Sequence, residues 1–172
     1  MFMVEARTVG AVFSIGKNKS RENVAFFPEE PLIKSPWLIW TKEGTQYSGF
    51  VSLKNKKIGV VEEYSYTPEF LQFIHDNCTV IEAVDDHTLF KLLKLGKLDY
   101  IVAEKHNGEF IIEKTKTTGI TNFPQYPVKV DGLYIMFMKT SFAVNDVFTF
   151  NKLLTEYKLS KDGQALYKKY FQ

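Results

Sequence analysis

The chain has 172 residues, 45% of them hydrophobic, which is enough to bury a core as one domain or two small lobes. Its 22 Lys and Arg against 20 Asp and Glu leave a formal net charge of +2 with no long basic block, so composition argues against a nucleic-acid-binding tail. A single cysteine, Cys78, excludes an intrachain disulfide and a multi-cysteine metal site, and no apolar run reaches bilayer-spanning length.

In chain order, Val9 to Ile15 is apolar and β-prone and reads as a strand. Gly16 to Asn23 reads as a polar, basic loop containing Lys17, Asn18 and Arg21. Val24 to Phe27 is a short apolar run closed by Pro28, and Trp37 to Thr41 reads as a strand followed by a turn-rich connector to Ser48. Lys54, Lys56 and Lys57 precede an apolar segment and are expected to be solvated.

The central stretch carries the strongest pattern. Lys57 to Val61 predicts a compact buried strand. Thr67-Pro68-Glu69 predicts a helix start, with Thr67 as cap, Pro68 at the first helical position and Glu69 set against the dipole. Asn77 is the expected stop, and Thr79 to Val84 the next strand. Asp86 is expected to cap a helix whose apolar face is Leu89, Leu92, Leu93 and Leu95, with Gly96 ending it. Asp99 to Ala103 predicts a third strand. The result is a parallel βαβαβ unit, and such sheets bind ligands beyond the carboxyl ends of their strands.

Beyond it, Gly108 to Glu113 fits helix or strand, and Thr115 to Thr121 fits a loop. Val128 to Val130 and Leu133 to Met138 read as two strands. The tail is helical: Val147, Phe148, Phe150, Leu153, Leu154 and Tyr157 keep a helical period, and Ser160-Lys161-Asp162-Gly163 opens a last helix.

Three runs, in this order and spacing, resemble the polar amino-acid-binding family of bacterial extracytoplasmic solute-binding proteins. They are Ala11 to Leu32, with its strand, polar loop, Arg21 and Phe27-Pro28-Glu29-Glu30-Pro31-Leu32; the central unit; and Leu133 to Ser141, followed by Phe150 to Leu154 and Tyr167 to Tyr170. The resemblance implies a type II periplasmic-binding-protein-like α/β fold with two crossover strands, Trp37 to Lys42 and Leu133 to Lys139. Residues 1–43 and 133–172 would form the first lobe and 44–132 the second. It also implies further strands ahead of Val9, so the chain is expected to be an N-terminally truncated member with an incomplete first lobe. Met1 to Arg7 lack the apolar core of a signal peptide and read as having none, while the resemblance implies a periplasmic or other extracytoplasmic location.

The implied function is non-catalytic binding of a small polar solute, an amino acid or similar zwitterion, for a membrane permease or a sensor. A degenerate module without solute and the binding lobe of a cell-wall enzyme are the rivals. Arg21 matches the family's carboxylate-pairing Arg, and its planar donor fork suits that group; a surface Arg is the alternative. Tyr64, Ser65 and Tyr66 follow a strand and offer ring faces, phenol ends and a hydroxyl, or else pack beneath the cleft. Glu63, where the family often has Gly, sets a carboxylate beside them. Glu104 ends the third strand and matches the acidic residue that receives the ligand ammonium, or is solvated beside Lys105. His75, His87 and His106 lack metal-ligand spacing. No metal or cofactor is expected, and no nucleic acid; the incomplete lobe is expected either to be completed by a second copy, as a homodimer, or to leave the chain binding-deficient.

Overall fold

The computed structural model describes residues 9–62 and 64–171, and divides the chain into two compact units. Unit 1 comprises residues up to Lys34 together with Asp131 onward; unit 2 comprises Ser35–Val130. The chain changes unit within two long strands, β3 (Ile33–Lys42) and β8 (Lys129–Met138).

Unit 2 is built on the parallel pattern read from the sequence. Strand β4 (Lys57–Val61) lies between β5 (Thr79–Ala83) and β6 (Tyr100–Glu104), parallel to both. β3 joins antiparallel to β6, with Trp37 opposite Glu104, and β7 (Ile120–Asn122) closes against β3. Successive residues of these strands point to opposite faces. Leu38, Trp40, Val61, Ile101 and Ala103 pack with helices α3 (Asp86–Lys94) and α4 (Lys105–Thr115). Ile39, Ile58, Val60, Tyr100 and Val102 pack with α2 (Pro68–Asn77) and the 3-10 turn Phe50–Leu53. Both faces are therefore covered, as a parallel sheet requires.

The helix ends show why these segments fold locally. Thr67 caps α2 by accepting from the Phe70 N–H, with Pro68 at the first turn, as expected. α3 ends through N–H donation from Leu95, Gly96 and Lys97 to the carbonyls of Lys91, Leu93 and Leu92, with Gly96 at a φ of 70°. The cap of α3 is Asp85, which accepts from the Thr88 N–H at 2.7 Å; the expected cap, Asp86, is instead the first helical residue. Of two adjacent aspartates only the one with extended backbone can reach the third amide. Gly108 to Glu113 is helix, part of α4, whose Gly108 lies against the Trp40 ring: a Cβ there would stand 2.4 Å from it.

In unit 1, β1 (Ala11–Ile15) and the two-residue β2 (Ala25–Phe26) both pair antiparallel with β8. The expected break between Val130 and Leu133 does not occur, because β8 continues through Asp131-Gly132. The expected loop around Arg21 contains a short helix, α1 (Lys19–Val24), capped by Asn18, whose side chain accepts from the Arg21 N–H at 2.9 Å. Helices α5 (Val144–Leu159) and α6 (Lys161–Phe171) form the tail, turning at Ser160, whose hydroxyl accepts from the Gly163 N–H.

Candidate functional site

Three connections of unit 2 leave the carboxyl ends of parallel strands. β4 runs into Tyr64–Tyr66, β5 into Asp85 and Asp86, and β6 into Glu104–Asn107. The connections from β4 and β6 lead to opposite faces of the sheet, which makes the β4/β6 edge a topological switch point.

Asp86 is the centre of this edge. It is 4% exposed, yet it is a carboxylate at the start of a helix. Its Oδ2 accepts from the Tyr64 hydroxyl at 3.1 Å and from the Asn107 Nδ2 at 2.6 Å. Its Oδ1 is buried without a hydrogen-bond partner among the described residues. Burial raises the Asp86 carboxyl above its ordinary range; Tyr64 and Asn107 oppose the rise, while Asp85 and Glu104 add to it. Tyr64 is pushed up to about 12, first by burial and then by the Asp86 charge. Asp85 moves the other way, lowered chiefly by the Thr88 N–H that it caps.

Glu104 is half-buried and caps α4. Its Oε2 accepts from the Asn107 N–H and its Oε1 lies 2.8 Å from the His106 Nδ1. Each carboxylate oxygen keeps a further lone pair. Asn107 therefore links two carboxylates, by its amide N–H to Glu104 and by its side chain to Asp86.

The tyrosines divide their roles. Tyr66 is 8% exposed, its hydroxyl accepts from the Val61 N–H, and burial raises its pKa; it belongs to the core beneath the edge. Tyr64 is exposed and reaches Asp86. Trp37 meets both edge-on, with ring centroids 5.3 Å from Tyr64 and 5.8 Å from Tyr66. The Lys129 ammonium lies 4.6 Å from the Trp37 ring centroid and donates to the Ser65 carbonyl. Ser65 stands two residues before the cap Thr67, so its own N–H is not among the donors of the α2 terminus. Glu63 lies outside the described residues.

Arg21 belongs to unit 1 and is half-buried. One guanidinium nitrogen donates to the Gly16 carbonyl at 2.8 Å, tying α1 back to the end of β1. Nearby in the same unit, Lys17 lies 4.0 Å from the Tyr134 ring centroid and donates to the Pro28 carbonyl; burial lowers its pKa.

The structure thus gathers Tyr64, Ser65, Tyr66 and Glu104 at one edge of unit 2. Sequence reasoning missed Trp37, Asn107 and Lys129 and read Asp86 only as a cap. Asn107 was the legible one, since it stands three residues after the strand-ending Glu104, where a cap finds its amide. Trp37 is brought there only by its register opposite Glu104. Among the described residues no group of three or more His, Cys, Asp or Glu could hold a metal ion, and no helix is long and apolar enough to cross a membrane.

The fold is that of type II periplasmic binding proteins. The chain is similar to the second substrate-binding domain of a putative amino-acid ABC transporter from Streptococcus pneumoniae, at TM-score 0.77 and 15% identity, over 99% of this chain and 76% of that one. It is similar to an ancestral arginine-binding protein bound to arginine, at TM-score 0.69 and 18% identity, over 99% and 75%. A histidine kinase sensor domain with similarity to periplasmic binding proteins matches at TM-score 0.70 and 14% identity, over 99% and 73%. No protein-family model and no curated protein sequence matches.

Proposed function

We propose that the protein binds a small polar solute carrying an ammonium group, an amino acid or a similar zwitterion, without chemical conversion. The observation that carries this reading is the buried Asp86 carboxylate, whose Oδ1 has no partner among the described residues. An uncompensated buried carboxylate oxygen is costly, and a cationic donor offsets that cost. Glu104, directly opposite Trp37 in the β3/β6 ladder, and Tyr64, which donates to Asp86, add a second carboxylate and aromatic rings at the same edge that suit an ammonium. The tethered Lys129 ammonium against Trp37 and the Ser65 carbonyl supplies a positive charge at this edge for the carboxylate end.

Arg21 of unit 1 is the residue that the family resemblance assigns to the ligand carboxylate, and it is retained in that role. Delivery to a membrane permease or a sensor, in an extracytoplasmic space, is the corresponding cellular role; the transporter domain and the kinase sensor domain among the similar structures support each destination equally. A homodimer through unit 1 is part of this proposal; what supports it is that β1 pairs only with β8 among the described residues and that its Phe13 is 74% exposed.

The test is titration calorimetry against a panel of amino acids and amines with the wild type, Asp86→Asn, Glu104→Gln and Arg21→Ala. Asp86→Asn and Glu104→Gln should each weaken ammonium-bearing ligands. Arg21→Ala should cost about 2–4 kcal/mol for ligands with a carboxylate and little for amines that lack one. Wild-type affinity in Asp86→Asn would overturn the reading.

A further inference from the structure

The opposite end of the unit 2 sheet carries a concavity. It has a volume of about 350 Å³ and is lined by Thr41, Lys42, Thr45, Lys56, Gly96, Leu98, Asp99 and Tyr100. Two lysines, Lys42 at the end of β3 and Lys56 just before β4, contribute to this lining, and both are exposed. Lys57 and Lys97, both exposed, add positive charge beside it.

Neither Lys42 nor Lys56 has an acidic partner among the described residues. Lys42 does not wave freely: its ammonium lies 3.2 Å from where a Cβ on Gly96 would stand, at the carboxyl end of α3. A helix end of that polarity attracts a lysine. Here, however, the carbonyls of Lys91, Leu92 and Leu93 already accept from Leu95, Lys97 and Gly96 N–H groups. The ammonium donors are left without a hydrogen-bond acceptor among the described residues. The Thr45 hydroxyl has none either, whereas that of Thr41 is committed to the Asp99 carbonyl at 2.8 Å. The one carboxylate of the lining, Asp99, accepts from the Lys57 N–H at 2.8 Å through its Oδ2. The balance of the lining is positive, two lysines against one aspartate, around a space of ligand size.

We propose that this cavity, at the amino-terminal edge of the unit 2 strands, is an anion site that takes a phosphate group between Lys42 and Lys56. Lysines bind phosphate as point charges, without the planar fork that favours a carboxylate. The site is distinct from the ammonium-binding edge: the parallel strands separate a basic end from an acidic end in one unit. The phosphate belongs either to a free anion or to the headgroup of an anionic lipid, and the two sources share the same contacts.

The experiment compares the wild type, the double variant Lys42→Gln/Lys56→Gln, and Lys91→Gln, an exposed lysine of α3 outside this cavity. Inorganic phosphate and pyrophosphate are titrated calorimetrically at low salt. Vesicles of phosphatidylcholine with and without phosphatidylglycerol are tested by co-sedimentation. The expected result is saturable binding, weakened at least tenfold in the double variant, unchanged in Lys91→Gln, and falling with added salt. Saturation by free phosphate or pyrophosphate assigns a soluble anion; binding confined to phosphatidylglycerol vesicles assigns a lipid headgroup. No saturable binding in either arm, or equal binding by wild type and double variant, overturns the proposal. Amino-acid affinity of the double variant, measured in parallel, keeps this outcome separate from that of the solute site.

Discussion

The two units are made from the same kinds of elements but hold themselves together differently. Unit 2 buries two clusters of eleven residues each, one on either face of its sheet. Among the described residues, unit 1 buries a cluster of three, Ala25, Met136 and Met138, with Val9, Val12, Ile15 and Phe27 packed against it, and Phe137 and Val147 are buried outside that cluster. The tail helices of unit 1 leave Phe148, Leu153, Leu159 and Tyr170 exposed. A groove of about 540 Å³ lined by Leu32, Leu154, Tyr157 and Leu166 stays open beside them. Burial of apolar surface is the main favourable term in folding. Among the described residues unit 2 has the larger buried core, and the expectation is that unit 1 opens first.

The largest test of this contrast is a pair of core truncations. Ile101→Ala, at a fully buried position between α3 and the sheet, should cost about 4 kcal/mol; Met138→Ala in unit 1 should cost about 2 kcal/mol, because a loose site collapses around the gap. Denaturant unfolding measures both. Native-state hydrogen exchange should show β4 and β6 amides protected to the global limit and β1 amides exchanging by local opening. Equal protection in the two units would end the comparison.

Next in size is Gly108→Ala in unit 2. In an exposed helix the change would gain up to about 1 kcal/mol from propensity. Here the new Cβ would stand 2.4 Å from the Trp40 ring, so the net result should be a loss of about 1–3 kcal/mol. A neutral or stabilising outcome would mean that the unit 2 core is looser than its geometry.

Tyr47→Phe should act in the other direction. The Tyr47 hydroxyl is buried with no hydrogen-bond partner among the described residues, in a ring cluster with Tyr100, Phe123 and Tyr126, and burial pushes its pKa up to about 12. Removing an unpaired hydroxyl while keeping the ring should stabilise the protein by about 1 kcal/mol in thermal or urea unfolding.

The contrast also governs what the sequence revealed. In unit 2 the local signals agree with the tertiary structure: β4 runs over Lys57–Val61 as read, and Thr67-Pro68 starts α2 as read. In unit 1 the elements are short or depend on distant partners. Helix α1 has six residues, too few for a hydrophobic period, and its capping Asn18 looked like one more loop residue. β8 crosses Asp131-Gly132, a dipeptide that reads as a turn, because distant partners hold the backbone extended on either side of it: the Val128 N–H donates to the Trp37 carbonyl, and the Leu133 carbonyl accepts from the Leu32 N–H. The candidate site was legible where residues follow a strand end, as Tyr64 and Glu104 do. It was illegible where register brings in a residue from elsewhere, as for Trp37, and where two adjacent aspartates exchange roles. Arg21 rests on resemblance alone; its observed bond to Gly16 is local.

The smallest effect concerns Asp86 and joins stability to function. Burial, the largest cause, holds its folded-state pKa above the unfolded value near 3.9. The folded state therefore binds more protons than the unfolded chain between the two values, and stability falls as pH rises through that window. Below the unfolded value both states are protonated and the contribution is fully present; above the folded value it is lost. Other carboxylates, Asp85 among them, act in the opposite sense, so the useful quantity is the difference between wild type and Asp86→Asn. That difference should favour the wild type more as pH falls from neutrality toward 4 and become flat below it, in urea unfolding at fixed ionic strength. At pH 7 the variant should be at least as stable as the wild type while its solute binding is weakened, since a buried charge kept for a ligand is a cost to the empty protein. A variant that loses stability at pH 7 would assign Asp86 to the fold, through Tyr64 and Asn107, and would leave its unpartnered oxygen without a ligand.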